Sequence, residues 1–351
     1  MSTTQVKFAI DDGSTNVKIS WIDNGVIRSV TSPNSFRKDW KSAALLSDKK
    51  VFNYQIGTTK YTYDATSDKA LSTTHVAFQY DDLNLLSVHH ALLQTGIKPG
   101  PVSILVTLPI TEYYNADDCQ KNEENIARKK ANLMRKISLN KGDVFEIVDV
   151  EVLPESLPAV LTTLVDSGVN EYTKSLVIDC GGTTLDMGVI VGEFEDVSGV
   201  YGNAEIGVSM VTNAARKALA AADSDASYLV ANELIKRRHD REFVSEVIND
   251  LSKLDWVLER IENKIDELGA AVAYEAKTFT RNPNRIYLVG GGAMLIESAI
   301  REAYPSLGDK IVLVKSPQEA LSREICCYHA AEPVTNPQVH EADPTPASVS
   351  A

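Results

Sequence analysis

The chain has 351 residues, 44% of them hydrophobic and 24% charged, with a formal net charge of −13. Single hydrophobic cores stop growing near about 250–300 residues, so two lobes are expected, and the ordinary composition excludes collagen-like and wholly disordered chains. The acidity excludes direct binding of the chain as a whole to nucleic acid or to an anionic membrane.

Four cysteines, Cys119, Cys180, Cys326 and Cys327, lack C-x-x-C spacing. A disulfide scaffold or zinc site is therefore not expected, and the compartment reads as reducing. The N-terminus lacks the charged-then-apolar layout of a signal peptide, and no apolar run approaches the ~18 residues of a membrane span. The expected location is the cytoplasm.

In chain order, the first element is an apolar run from Val6 to Ile10 that ends in Asp11 and Asp12. Gly13, Ser14, Thr15 and Asn16 follow, then alternating Val17, Ile19 and Trp21, which is the pattern of a tight turn between two strands. Adjacent carboxylates on a hairpin tip repel one another, which points to a cation there. The stretch DDLNLLSVHHALLQTG predicts a helix stopped by Gly96, with His89 and His90 packed or locally bonded rather than holding a metal. VSILVTLPI predicts a strand. ARKKANLMRKIS predicts a basic helix whose Arg128, Lys129, Lys130, Arg135 and Lys136 form a solvated face.

The second half repeats the grammar of the first. KSLVIDC and DMGVIVG predict two strands around a Gly- and Thr-rich turn, helical periodicity follows in VSMVTNAARKALAAA and from Tyr228 to Phe279, and RIYLVGG and KIVLVK predict two further strands. Short β-branched runs ended by Gly, Asp or Pro make an α/β protein with covered sheets. The expected division is a first domain of residues 1–171 plus 309–330, carrying an insert at about 31–100, and a second domain of 172–308. Residues 331–351, with four prolines and almost no large apolar side chain, read as a disordered tail.

AIDDGSTNVKISWI and VIDCGGTTLDMGVIV look like one unit used twice, a stronger signal than either hairpin alone. Two such turns facing each other across a cleft would wrap phosphates with backbone N–H groups and hydroxyls, without a P-loop. Asp11, Asp12 and Asp179 are hard oxygen ligands suited to Mg²⁺ held largely through its waters, and Lys18 is a point charge for phosphate. A strand running into Gly290, Gly291, Gly292 and Ala293 reads as a ribose and adenine clamp.

These motifs resemble the actin/Hsp70/hexokinase superfamily: IDDGSTNVK as phosphate 1, VIDCGGTTLD as phosphate 2 and LVGGGA as the adenosine motif. SPNSFRKDW, KKVFNY, VHHALL, TLPITEYYN, NIARKKANLMRKI and PESLPA further resemble the ParM (StbA)-type bacterial actins that segregate plasmids, so the likeness runs from Val6 to about Ile325. It implies an actin-like two-domain fold, a duplicated mixed-sheet ATPase core with nucleotide in the interdomain cleft.

By that resemblance Asp12 is the phosphate-1 acid, Asp179 stands near Mg²⁺ and Glu155 positions the attacking water. The phosphates lie against Gly13, Ser14, Thr15, Asn16, Lys18, Gly181, Gly182 and Thr183, with Arg216 and Lys217 flanking the adenine. Cys180 stands where a bulkier aliphatic residue is usual and should pack as a small hydrophobe. REICCYHAAE departs most from the family pattern.

The implied function is an ATPase, or a GTPase, that polymerises head to tail and drives plasmid partition, with hydrolysis destabilising the filament. Its implied partners are itself and a DNA-binding adaptor of the ParR type, with no direct nucleic acid and no membrane. Residues 35–40 and the basic helix from 125 are expected at subunit contacts. The alternative is a sugar- or acetate-type kinase of the same superfamily, for which no substrate base stands out.

Overall fold

A computed structural model of the chain describes residues 6–331 apart from 43–49, 66, 68, 74 and 116. Apart from Ala331, which ends the last helix, the expected disordered tail lies outside the described residues.

The strands are β1 (Lys7–Asp12), β2 (Asn16–Asp23), β3 (Val26–Pro33), β4 (Phe36–Lys38), β5 (Asn53–Ile56), β6 (Thr59–Tyr63), β7 (Pro101–Leu108), β8 (Ser138–Leu139), β9 (Glu146–Pro154), β10 (Lys174–Cys180), β11 (Leu185–Val191), β12 (Asp196–Asn203), β13 (Arg285–Val289) and β14 (Ile311–Leu313). The first sheet runs β3-β2-β1-β7-β9 and the second β12-β11-β10-β13-β14. In each, an antiparallel three-strand meander leads into two parallel strands. The repeated sequence unit is therefore a repeated topology, and its two hairpins occupy equivalent places.

All seven strands expected from apolar runs are present. β3, β9 and β12 escape that reading because exposed or half-exposed residues interrupt them: β9 reads EIVDVEVLP, with Asp149 exposed beside buried Val150.

Two boundaries need correction. The expected start of the first domain's return at 309 is too early, because β14 pairs in parallel with β13 and Ile311 is buried in the second lobe. Among the described residues after β14, the helix Ala320–Ala331 is what crosses back, packing on β1, β2 and β3. The insert is also not confined to 31–100. Its sheet, β4-β6-β5-β8, takes β8 from beyond that window, while β3 up to Pro33 and the inner face of the helix Asp82–Gln94 (Leu85, Val88, Leu92) belong to the first lobe's core.

The lobes share an apolar floor. Ala9 and Leu105 from the first sheet, Val177, Ile190, Tyr287 and Val289 from the second, and Leu157 and Ile325 from crossing segments form one buried cluster. Close approach depends on β11, where a Cβ on Gly188 would stand 2.6 Å from Leu157 Cδ2.

His89 and His90 are structural, as expected. His90 Nδ1 bonds Tyr54 Oη at 2.8 Å and its ring stacks on Tyr63 with centroids 3.6 Å apart. Neither nitrogen of buried His89 has a hydrogen-bond partner among the described residues. Burial holds His89 down at about 4, and burial with nearby Lys50 holds His90 at about 3, against an ordinary value of 6.5. Both stay neutral in the folded chain while the unfolded chain takes up protons below that value. Stability is then full above about pH 6.5 and falls toward pH 4, by up to about 1.4 kcal/mol per pH unit per histidine. His89→Leu should flatten that dependence in thermal melts taken from pH 7 to 4.5; an unchanged slope would remove His89 as a contributor.

Candidate functional site

Strand alternation sends the carboxylates of Asp11 and Asp12 to opposite faces of β1. Asp11 lies opposite Lys18 in the β1–β2 register, and Lys18 Nζ donates to Asp11 Oδ2 at 2.8 Å. The turn between them is tied back by Asn34, whose Nδ2 donates to the carbonyls of Gly13 at 2.9 Å and Ser14 at 2.8 Å.

The second turn is tied in the same manner. Gly181 N donates to Thr184 O at 2.8 Å, and Val208 N and Ser209 N, at the start of the helix Ser209–Ala221, donate to the carbonyls of Gly181 and Gly182 at 3.1 and 2.7 Å. The two turns then meet. Ser14 Oγ lies 3.0 Å from Thr183 Oγ1, and a Cβ on Gly182 would stand 2.9 Å from Thr15 Oγ1. The expected juxtaposition of the two glycine turns is what the structure places between the lobes.

Glu155 enters beside them from the end of β9. The next residue, buried Ser156, has φ 72 and ψ −59, and Leu157 N donates to Glu155 O at 2.8 Å, closing a γ-turn of the rare strained hand. A conformation of that kind costs of order 1–3 kcal/mol and persists where surrounding packing over-determines it. Here it reverses the chain from strand into the turn Leu157–Val160 and leaves Glu155 at the lobe junction.

Around the turns, burial and mutual repulsion raise several acids. Burial, then Asp11, lifts Asp179 to about 6 against the pull of Lys18. Burial, then Asp179, lifts Asp186 to about 7. Burial, then Asp186, Asp11, Asp12 and Asp179, lifts Glu155 well above the usual carboxylate range, and its buried Oε1 has no hydrogen-bond partner among the described residues. For Lys18, burial pulls downward, but Asp11, aided by Asp179 and Glu155, outweighs it and the ammonium titrates above an ordinary lysine. An all-oxygen acidic site beside a compensating lysine suits a hard cation. Among the described residues no three His, Cys, Asp or Glu side chains form a metal cluster by themselves.

Asp186 was missed by sequence reasoning, although it lies directly across the β10–β11 register from Asp179 and bonds Thr184 Oγ1 at 2.8 Å. Counting outward from the four-residue turn would have found it.

Asp12 does not share the cleft position expected of it. It is fully buried on the other face of β1, ion-paired to Lys129, and accepts from Asn84 Nδ2 at 2.7 Å and Thr107 N at 3.1 Å. That corrects the solvated reading of Lys129, which is itself completely buried. The signal was present: Ile126, Lys129 and Leu133 share the inward face of the helix Glu123–Leu133. Arg135 and Lys136 lie past that helix, with Arg135 paired to Asp82 at 2.7 Å.

The remaining candidates are divided. Arg216 is held within the second lobe, donating to Ala226 O at 2.7 Å and lying 3.9 Å over the Tyr228 ring, and Lys217 is exposed. Gly290, at φ +85, and Gly292 close against the end of β10: added Cβ atoms would stand 2.1 Å from Asp179 Oδ1 and 2.6 Å from Cys180 Sγ. Gly291 has open space, and buried Ala293 begins the helix Ala293–Ala303. Cys180 is fully buried, and burial, then Asp179, pushes its thiol up to about 12, as befits an inert packing residue. A separate cavity of about 360 Å³, bordered by Asn170, Asn284, Arg285 and Lys310, lies at the opposite end of the second sheet, where β10 and β13 begin.

Residues 6–166 match the family described as plasmid segregation protein ParM, N-terminal, and residues 169–328 match that described as plasmid segregation protein ParM, C-terminal. None of the curated proteins matches the chain. Among solved structures, the archaeal actin homologue Ta0583 in complex with ADP superposes with a TM-score of 0.67 at 17% identity, covering 93% of this chain and 100% of its own. A 15-stranded ParM filament from Clostridium botulinum gives 0.66 at 15% identity, covering 93% and 99%. The actin-like protein Alp7A gives 0.65 at 12% identity, covering 93% and 98%. The fold is actin-like.

Proposed function

The chain belongs to the ParM family of plasmid segregation proteins, and from that premise we propose that it is an ATPase whose nucleotide lies between the two turns and whose subunits assemble head to tail. The observation that carries the reading is the meeting of Ser14 and Thr183, equivalent residues of a duplicated hairpin, beside buried acids of which Asp11 is paired to Lys18. The ADP complex of the archaeal homologue supports the nucleotide, and the Clostridium botulinum filament supports assembly.

Asp11 and Asp179 would hold Mg²⁺ through its waters, and the ion would neutralise charge developing on the terminal phosphate. The donor set fits, since raised acids and a Glu155 oxygen unpartnered among the described residues mark a site short of positive charge and of hydrogen-bond donors. Asp12 is not in that set. Lys18 attracts phosphate as a point charge, and Glu155 orients the attacking water.

Closure of two lobes over the γ-phosphate gives subunit contacts a nucleotide dependence, and a head-to-tail contact that does not close yields filaments rather than rings. A DNA-bound adaptor of the ParR type would supply the link to the plasmid that this acidic chain does not make itself. No helix among the described residues is long and apolar enough to cross a membrane, and the cytoplasm is the proposed location. GTP in place of ATP is the variant of this reading that nucleotide titration separates.

Light scattering and pelleting with ATP, ADP or no nucleotide, each with and without Mg²⁺, test the proposal. Assembly that rises with ATP and Mg²⁺ above a threshold protein concentration, then decays as ATP is consumed, is the expected result. A chain that stays soluble under every condition and turns over ATP only when a sugar or acetate is added would replace the filament with the kinase.

A further inference from the structure

Lys129 is the least expected charge in the molecule. Its ammonium has three donors, and each finds an acceptor: Asp12 Oδ2, Gln79 Oε1 and, at 3.1 Å, Asn84 Oδ1. Lys129, Asp12 and Asn84 are all fully buried, and Gln79 is 4% exposed. Asn84 also donates to Asp12 Oδ2 at 2.7 Å, and Thr107 N to Asp12 Oδ1 at 3.1 Å. Both oxygens of Asp12 are therefore engaged from inside the first lobe.

The partners come from separate elements. Asp12 ends β1, Thr107 lies on β7, Gln79 on the turn Val76–Tyr80, Asn84 on the helix Asp82–Gln94 and Lys129 on the helix Glu123–Leu133. Immediately after Asp12 the chain enters the Gly13–Thr15 turn, whose carbonyls Asn34 holds from the other side. A buried ion pair is a poor source of stability, because desolvation offsets most of the attraction, but it fixes geometry and register. Three elements converging on the residue that starts a ligand turn, with a fourth joined through Lys129, suit that second use.

We propose that Lys129 is a positioning residue for nucleotide: acting through Asp12 it fixes the first phosphate turn, and the Asp12 carboxylate is a strut for that turn and not a ligand of the metal. The inference rests on the functional reading above, and its consequences differ from those of a metal ligand. Loss of the strut loosens the grip on phosphate with or without Mg²⁺. Loss of a metal ligand raises the Mg²⁺ requirement and is repaired by excess metal.

The test uses the full chain with a fluorescent ATP analogue, titrated with and without Mg²⁺, after circular dichroism has set a temperature at which each variant is folded. Lys129→Met leaves a buried unpaired carboxylate and is prone to unfold. Asp12→Asn with Lys129→Met removes both charges and is the variant on which the outcome depends. At least tenfold weaker binding in the double variant, with the Mg²⁺ half-saturation unchanged and Lys130→Met binding as the parent does, is the expected result. Lys130 is the exposed neighbour on the same helix and controls for overall charge. Parental affinity in the folded double variant would overturn the inference, as would a defect that excess Mg²⁺ repairs. A parent chain that binds no nucleotide at all would instead overturn the functional reading, and this inference with it.

Discussion

Glu155→Ala is expected to hydrolyse ATP at least about a hundredfold more slowly than the parent while still assembling with ATP, so that its filaments outlast the parent's. A positioned general base contributes typically ~10²–10⁴-fold, and phosphoryl transfer draws most of its catalysis from such placement and from charge neutralisation. The variant should separate chemistry from folding cleanly. Glu155 Oε1 has no hydrogen-bond partner among the described residues, and burial together with Asp186, Asp11, Asp12 and Asp179 opposes its charge, so its removal leaves stability unchanged or raised. Phosphate release and light scattering followed in one reaction check this. A parental rate of phosphate release would take Glu155 out of the chemistry, and a lowered melting temperature would make it a structural residue. Glu155→Gln, which keeps shape and one acceptor, should fall between the two in rate.

The route to Glu155 shows where sequence reasoning is strong and where it stops. The duplicated hairpin was legible because two turns of the same grammar, each ending an apolar strand, imply one topology used twice, and the sheets repeat it strand for strand. Its partner strands were legible only where burial on both faces produced continuous apolar runs. β3 and β12, with exposed positions along their length, carry no such signature. Alternation along β1 guarantees that Asp11 and Asp12 face opposite ways, yet which of them meets the cleft depends on Lys129, 117 positions beyond Asp12, and on the β1–β2 register. The family resemblance pointed to Asp12, whereas the cleft-facing acid is Asp11. Lys129 itself hid inside a basic run, where composition argues for water, and only the helical spacing with Ile126 and Leu133 argues otherwise. The strained Ser156 that turns Glu155 inward has no sequence signature, since serine at positive φ is set by tertiary packing.

Gly290→Ala is expected to disable the site from the side opposite Glu155, by roughly 2–4 kcal/mol of stability together with a loss of nucleotide affinity of tenfold or more. Two separate strains add. The backbone there is left-handed at φ +85, which costs an L-residue roughly 1–2 kcal/mol. The new Cβ would also stand 2.1 Å from Asp179 Oδ1 and 2.7 Å from the Cys180 carbonyl oxygen. Gly290 N is anchored to Pro317 O at 3.0 Å, so the glycine turn cannot simply back away, and the Asp179 carboxylate has to rotate out of place. Gly292→Ala meets the Cys180 sulfur at 2.6 Å and Val208 Cγ2 at 2.8 Å without the backbone penalty, and should be milder. Gly291→Ala meets nothing within 4 Å and should change stability by no more than about 0.5 kcal/mol. Denaturant midpoints and a fluorescent ATP titration across the three variants therefore separate two roles for one glycine run. If affinity falls in the order 290, 292, 291 alongside stability, the run acts by letting a helix close onto the Asp179 strand. If Gly291→Ala loses affinity at parental stability, the run touches the nucleotide directly, and the adenosine clamp expected from the sequence regains its ligand.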